Sequence, residues 1–180
     1  LEEIRLVKAE TKEQYDKIKW LYRRSFARLE RMPYFILRSK IKSGQMEMYA
    51  IVDEKDEFLG FGCYVVHEDI AMGQYLAIMP EYQGMGIGSK ALPQIIATMG
   101  DRRLVFEIES TLVDAPDIET RRRRKAFYEK NGMKPMGYSV VYFGQNMEIM
   151  AHNDKVSYEE YIGTYRAVLG YIFSAFIHLI

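Results

Sequence analysis

Three glycines at alternate positions, Gly84, Gly86 and Gly88, are the residues of this sequence most able to do chemistry. They join a β-rich stretch, Gln74 to Met79, to a run in which Ile87, Ala91, Leu92, Ile95, Ile96 and Met99 recur at helical spacing. Pro80 closes the strand, because it has no N–H to give to a sheet ladder. A turn without side chains at the start of a helix leaves several backbone N–H groups unpaired, with the positive end of the helix dipole behind them. Such a turn is suited to holding phosphate.

Three phosphate-binding turns share that outline, and the neighbouring residues separate them. A nucleoside-triphosphate loop needs G-x-x-x-x-G-K-[ST], whereas Lys90 here follows Ser89 and precedes Ala91. The dinucleotide pattern G-x-G-x-x-G is nearly met by Gly84, Gly86 and Ser89, with Glu109 roughly 20 residues on, where a ribose-binding acid belongs. Ser89 is not glycine, however, and four residues separate Met79 from Gly84, where that fold turns almost at once. The third pattern, Gln83-x-x-Gly86-x-Gly88, resembles the Q/R-x-x-G-x-G/A pyrophosphate signature of the GNAT superfamily of N-acetyltransferases. A second block, Phe127-Tyr128-Glu129-Lys130-Asn131-Gly132-Met133, resembles that superfamily's later F/L-Y-x-x-x-G-F segment, with Met133 in place of the usual Phe.

The resemblance implies acetyl-CoA as donor and a primary amine of a small molecule or peptide as acceptor. It assigns the donor to Gln83, Gly84, Met85, Gly86, Ile87, Gly88 and Ser89, with Leu76, Ala77 and Ile78 lending backbone groups to the pantetheine arm. Tyr128 would meet the thioester and protonate the leaving thiolate, a general-acid role; otherwise it is a core aromatic. The stretch Ser25 to Pro33 is similar to one that lies over the acceptor pocket in some bacterial members, which brings in Glu30 on the acceptor side. The implied fold is α/β, or α+β: a mixed, mostly antiparallel sheet with one splayed parallel strand pair, helices on both faces and a C-terminal helix.

An aliphatic amine with a pKa near 10.4 is almost wholly protonated at neutral pH, so acyl transfer to it needs a proton acceptor. Glu107 and Glu109 alternate onto one face of their strand, away from Phe106 and Ile108, and either could act directly or through water. Two exposed carboxylates on an edge would look the same. Cys63 has no recognisable His partner, so direct attack in a ternary complex is expected rather than a covalent acyl-enzyme. Neither Cys63 nor His67 sits in metal-ligand spacing, and no metal is expected. Arg121 to Arg124 spread round a helix and read as a solvated face. Two other classes stay open: a dinucleotide-binding oxidoreductase, and a non-catalytic acyl-CoA sensor or interaction module.

The elements around these residues follow from periodicity and punctuation. Ile4 to Val7 reads as a strand, and Thr11 with Gln14 as a capping box opening a helix whose apolar face includes Tyr15, Ile18, Tyr22, Phe26 and Leu29. Pro33 stops it, and a second helix runs to Ile41 before Gly44. Three β runs from Met46 to Met79 form an antiparallel meander, with Gly60 and Gly62 allowing a bulge or close approach. Pro93 predicts a kink in the helix after the glycines. Leu104 to Glu109 is the strand parallel to the one before the glycines. A helix from Ile118 to Asn131 ends at Gly132; a hairpin of Gly137 to Phe143 and Met147 to Ala151 over Gly144-Gln145-Asn146 follows, and Ser157 with Glu160 caps a last helix through Ile172.

Composition sets the outer bounds. One domain over residues 1–180 is expected, and 48% hydrophobic residues suffice for a core. Twenty-five basic and 25 acidic residues cancel, so no global field draws the chain to nucleic acid or a membrane surface. Ala167 to Ile180 is apolar but too short to span a bilayer, and packing on the domain or in a homodimer is expected. A single cysteine and the lack of a basic-then-apolar leader before Ile4 fit a cytoplasmic location.

Overall fold

A computed structural model describes residues 3–28 and 31–180 of the chain. It divides into two compact units, Leu1–Val65 with Gly73–Thr98, and Val66–Met72 with Met99–Ile180. The eight strands among the described residues are mostly antiparallel and include one parallel pair.

The first unit begins with β1 (Ile4–Lys8) and α1 (Lys12–Ser25). Thr11 caps α1 reciprocally: its side chain accepts from the Gln14 amide at 3.2 Å, and the Gln14 side chain accepts from the Thr11 amide at 3.0 Å. The helix stops at Ser25 because Phe26 is already extended, so Phe26 serves as a cap rather than as part of the helical face, and Leu29 lies outside the described residues. α2 (Tyr34–Lys42) starts directly after Pro33. β1 pairs antiparallel with β2 (Met46–Asp53), which pairs with β3 (Phe58–His67), and β3 turns through Glu68 and Asp69 into β4 (Ile70–Ile78). A bulge falls at Ile51/Val52, opposite the stretch containing Gly60. A Cβ on Gly60 would stand 2.3 Å from the Ala77 carbonyl, so glycine there permits the close approach of β3 and β4.

After a 3-10 turn at Pro80–Tyr82, α3 (Ile87–Met99) runs through Pro93, whose ring is exposed. The Ser89 carbonyl therefore lacks the N–H it would otherwise receive from position 93. The core of this unit centres on Tyr22, Phe61 and Tyr75, with Tyr22 and Tyr75 edge-on at 4.9 Å and the half-buried Phe26 packed beside them. Both phenols also fix the backbone at Met32, one donating to its carbonyl and the other accepting from its amide.

In the second unit the N-terminal residues of β4 pair in parallel with β5 (Arg103–Glu109) over Ile70↔Arg103, Ala71↔Leu104 and Met72↔Val105. β5 pairs antiparallel with β7 (Gln145–His152), and β7 with β6 (Lys134–Tyr142). The hairpin is tighter than sequence spacing suggests. Tyr142 pairs with Gln145 across only Phe143 and Gly144, both at positive φ, and a non-glycine residue in that conformation carries no clear sequence signal. β6 also starts earlier than expected, at Lys134, with an irregular stretch around Gly137 at φ +80°.

α4 (Ile118–Lys130) connects β5 to β6, and α5 (Tyr158–Leu169) follows β7 with a second capping box between Ser157 and Glu160. The last helix does not reach Ile172 unbroken. Gly170 at φ +89° ends α5, a single turn α6 (Tyr171–Ser174) follows, and Ile177–Leu179 forms a strand, β8, antiparallel to β6. Three residues are too few to show a period-2 pattern. No helix among the described residues is long and apolar enough to cross a membrane.

Candidate active site

The glycine turn lies wholly within the first unit. Gln83 folds back, its amide nitrogen donating to the Ile78 carbonyl at 3.0 Å, which fixes the turn against the end of β4. Gly84 and Gly86 both sit at φ +77°, where glycine alone is unstrained, and a Cβ on either or on Gly88 would meet nothing within 4 Å. The α3 ladder begins with Lys90 donating to the Gly86 carbonyl. The amides of Ile87, Gly88 and Ser89 belong to the first turn of the helix and have no protein acceptor among the described residues, nor has the amide of Gly84 or Gly86. Ile87 is buried as the anchor, and Met85 is 57% exposed. The result is an open backbone cradle with the positive helix end beneath it, chemistry that fits a diphosphate. Upstream, Leu76 and Ile78 are half-buried and Ala77 is buried on β4.

Tyr128, Glu107 and Glu109 all fall in the second unit. The tyrosine is held by the end of its helix. The Met133 amide donates to the Tyr128 carbonyl at 3.1 Å and the Gly132 amide to the Glu129 carbonyl at 3.0 Å, with Gly132 at φ +83°, the two bonds of a Schellman motif. Met133 is buried as the apolar residue that accompanies it. The Tyr128 ring lies against Phe106 at 5.4 Å, and its hydroxyl has no protein partner among the described residues. Burial raises the phenol above its ordinary pKa, with Arg124 pulling the other way, so Tyr128 keeps its proton at neutral pH.

The two β5 glutamates, alike in sequence, differ in surroundings. Phe106 faces α4 through Tyr128, so its neighbour Glu107 points to the opposite side, under α5. There its Oε1 accepts hydrogen bonds from the Tyr161 and Tyr165 hydroxyls, both at 2.6 Å. Burial pushes this carboxyl above its ordinary range, and the two phenols offset only part of that. Rather than one of an exposed pair on an edge, Glu107 is half-buried, because α5 brings two tyrosines over it. Glu109, the last residue of β5, is ion-paired with Arg124 and 32% exposed at its side chain. Glu30 lies outside the described residues.

The remaining arginines of α4 are satisfied locally, as a solvated face would be. Arg121 pairs with Asp117 at 2.9 Å and also donates to the Ser110 carbonyl, while Arg122 pairs with Glu119 at 2.6 Å. One polar network had no sequence signal. Glu148 on β7 is 5% exposed, pairs with Lys125 of α4, and accepts from the Thr111 amide and hydroxyl, both at 2.6 Å. Burial would raise its pKa, but Lys125 and Thr111 together outweigh that and hold it below the usual range. Cys63 is buried, which pushes its thiol up and keeps it un-ionised.

A family model described as an acetyltransferase (GNAT) domain matches residues 45–135, just over half the chain. No curated protein matches in sequence. Among solved structures, one described as a GNAT-family acetyltransferase from Bacteroides thetaiotaomicron is 18% identical, covers 95% of this chain and 98% of its own, and superposes with a TM-score of 0.70. A spermidine N-acetyltransferase from Vibrio cholerae, solved with CoA and spermine, is 14% identical and covers 84% of this chain and 95% of its own, with a TM-score of 0.66. At these identities the likeness concerns the fold.

Proposed function

The chain belongs to the GNAT family of acetyltransferases, and on that premise we propose that it moves an acetyl group from acetyl-CoA to a primary amine of a small molecule or peptide, by direct attack in a ternary complex. The observation that carries this reading is the backbone cradle at Gly84–Ser89, whose unpaired amides suit the pyrophosphate of coenzyme A. Leu76, Ala77 and Ile78 of β4 are proposed to lend backbone groups to the pantetheine arm. Membership of an acyltransferase family sets aside the dinucleotide-dependent alternative. The chain acts in this reading as one domain over residues 1–180, in the cytoplasm.

Tyr128 is assigned to the departing thiolate. Its raised pKa keeps the phenol protonated, and a thiolate that forms in a water-poor site becomes a stronger base, which favours taking that proton. Glu107 and Glu109 remain the proposed proton acceptors. Glu107 has the elevated pKa suited to taking a proton near neutrality but lies on the α5 side, away from Tyr128, and would act through water, whereas Glu109 must first give up Arg124. Glu30 is kept as an acceptor-side residue by resemblance alone. The exposed Tyr171, Ile172, Phe176 and Ile180 are proposed as a homodimer face, since large apolar side chains at 54–85% exposure favour being covered.

A free-thiol release assay with acetyl-CoA against polyamines, amino acids, aminoglycosides and peptides tests the assignment. Acceptor-dependent thiol release is expected with at least one amine class. Coenzyme A binding without any such release would instead support a non-catalytic acyl-CoA sensor.

A further inference from the structure

A groove of about 400 Å³ opens in the first unit, lined by Asp16, Lys17 and Trp20 of α1, Glu57 and Phe58 at the start of β3, and Met79 and Glu81 just past β4. That volume is enough for a small organic ligand. Its apolar surface comes from an indole, a phenyl ring and a thioether. Its charged rim is three carboxylates against one ammonium, and the ammonium is engaged elsewhere, since Lys17 Nζ lies 3.1 Å from Glu13. Asp16 reaches Lys12 only at 4.0 Å, and no described residue forms an ion pair with Glu57 or Glu81. Trp20 remains 47% exposed, and the Arg24 guanidinium stands 4.8 Å from its ring centre; the indole thus carries a cation in the folded chain, and the three carboxylates still outnumber Lys17 and Arg24 together.

We propose that this groove binds an organic cation with an apolar body. The cationic head is drawn to the Asp16, Glu57 and Glu81 carboxylates and to the aromatic surface, while the body covers Trp20, Phe58 and Met79. The negative rim disfavours an anion, and the aromatic floor gives a bare metal ion few ligands. Nothing in the site requires a reactive N–H on the ligand. The proposal therefore stands apart from the acyl-transfer reading, and either can fail without the other.

Trp20 is the only tryptophan in the chain, so its fluorescence reports on the groove directly. Benzyltrimethylammonium has no nitrogen that can be acylated. Titrated into the full chain at low ionic strength, it is expected to give a saturable, one-site change in emission. Benzyl alcohol and phenylacetate are expected to bind at least about tenfold more weakly, and raising ionic strength from about 0.01 M to about 0.15 M to weaken the ammonium. Glu57→Gln combined with Glu81→Gln should weaken binding roughly tenfold. Both side chains are exposed, and an unchanged melting point confirms that the double variant is folded. If it is not, Asp16→Asn provides the same comparison. A linear, non-saturating response, equal binding of benzyl alcohol, or unchanged affinity in the folded variant would overturn the proposal.

Discussion

The glycine turn of the first unit and the polar cluster around β5 and β7 of the second are built in opposite ways. At Gly84–Ser89 the functional groups are backbone amides, and the sequence contributes mainly by omitting side chains: a Cβ on Gly84, Gly86 or Gly88 would touch nothing. Around Glu107 and Glu148 the functional groups are side chains brought from separate elements, and each carboxylate takes its character from its neighbours. Glu148 has a lysine and is held ionised; Glu107 has two phenols and, among the described residues, no cation, and is pushed towards its neutral form. A backbone site should therefore tolerate changes elsewhere and fail at its own glycines, whereas a side-chain network should register its losses first in stability.

The largest such loss is expected at Lys125. Lys125→Met leaves the Glu148 carboxylate buried with only Thr111 as partner, a change that should cost about 3 kcal/mol in urea unfolding at neutral pH while leaving coenzyme A affinity unchanged. The folded pKa of Glu148 is depressed, so its stabilisation is present above the ordinary carboxylate value and is lost as pH falls. The gap between Lys125→Met and wild type should accordingly close in acid. A gap independent of pH would mean that packing, not charge, sets the cost.

Tyr128→Phe comes next and sharpens the comparison, because it removes one hydroxyl from a ring fixed by Phe106 and the helix end. Steady-state kinetics should show kcat reduced about 100-fold, with KM for acetyl-CoA little changed. Wild-type kcat would return Tyr128 to a packing role.

Glu107→Gln should act with the opposite sign to Lys125→Met. A raised folded pKa means that stability is highest with the proton bound and falls as pH rises through that pKa. The amide keeps an acceptor for the two phenols without the partly buried charge. Thermal melts at pH 8 should therefore show the variant more stable than wild type by on the order of 1 kcal/mol, with the advantage vanishing below the ordinary carboxylate range. If Glu107 is also the proton acceptor, kcat falls in the same variant, and stability and activity part company. The smallest effect is expected for Arg122→Ala, which breaks an exposed pair with Glu119 and should change the unfolding free energy by less than about 0.5 kcal/mol.

The same contrast explains what the sequence reveals. The turn and both capping boxes are local, fixed by residues a few positions apart, and Thr11/Gln14, Ser157/Glu160 and Gly84–Gly88 stand where spacing places them. The Schellman end that holds Tyr128 is equally local, since Gly132 marks it. What could not be read depends on distant partners. The two tyrosines over Glu107 arrive 54 and 58 residues later in the chain, and the Lys125–Glu148 pair joins residues 23 apart. That the hairpin turns at Phe143 and Gly144 rather than over Gly144 to Asn146 is not legible, because a positive φ at phenylalanine contradicts local preference, and β8 carries no sequence signal because three residues show no period.

The central claim is that backbone amides of the glycine turn hold coenzyme A. It is tested most directly by calorimetric titration of coenzyme A into wild type, Gly86→Val and Gly44→Val. Gly44 shares φ +77° and equally open surroundings with Gly86 but lies in the turn after α2, so the two variants suffer the same backbone strain. The account predicts that Gly86→Val, folded by circular dichroism, loses at least about tenfold in affinity, because a β-branched side chain bars the close backbone approach and resists positive φ, while Gly44→Val binds like wild type. Equal affinity in all three proteins would contradict it.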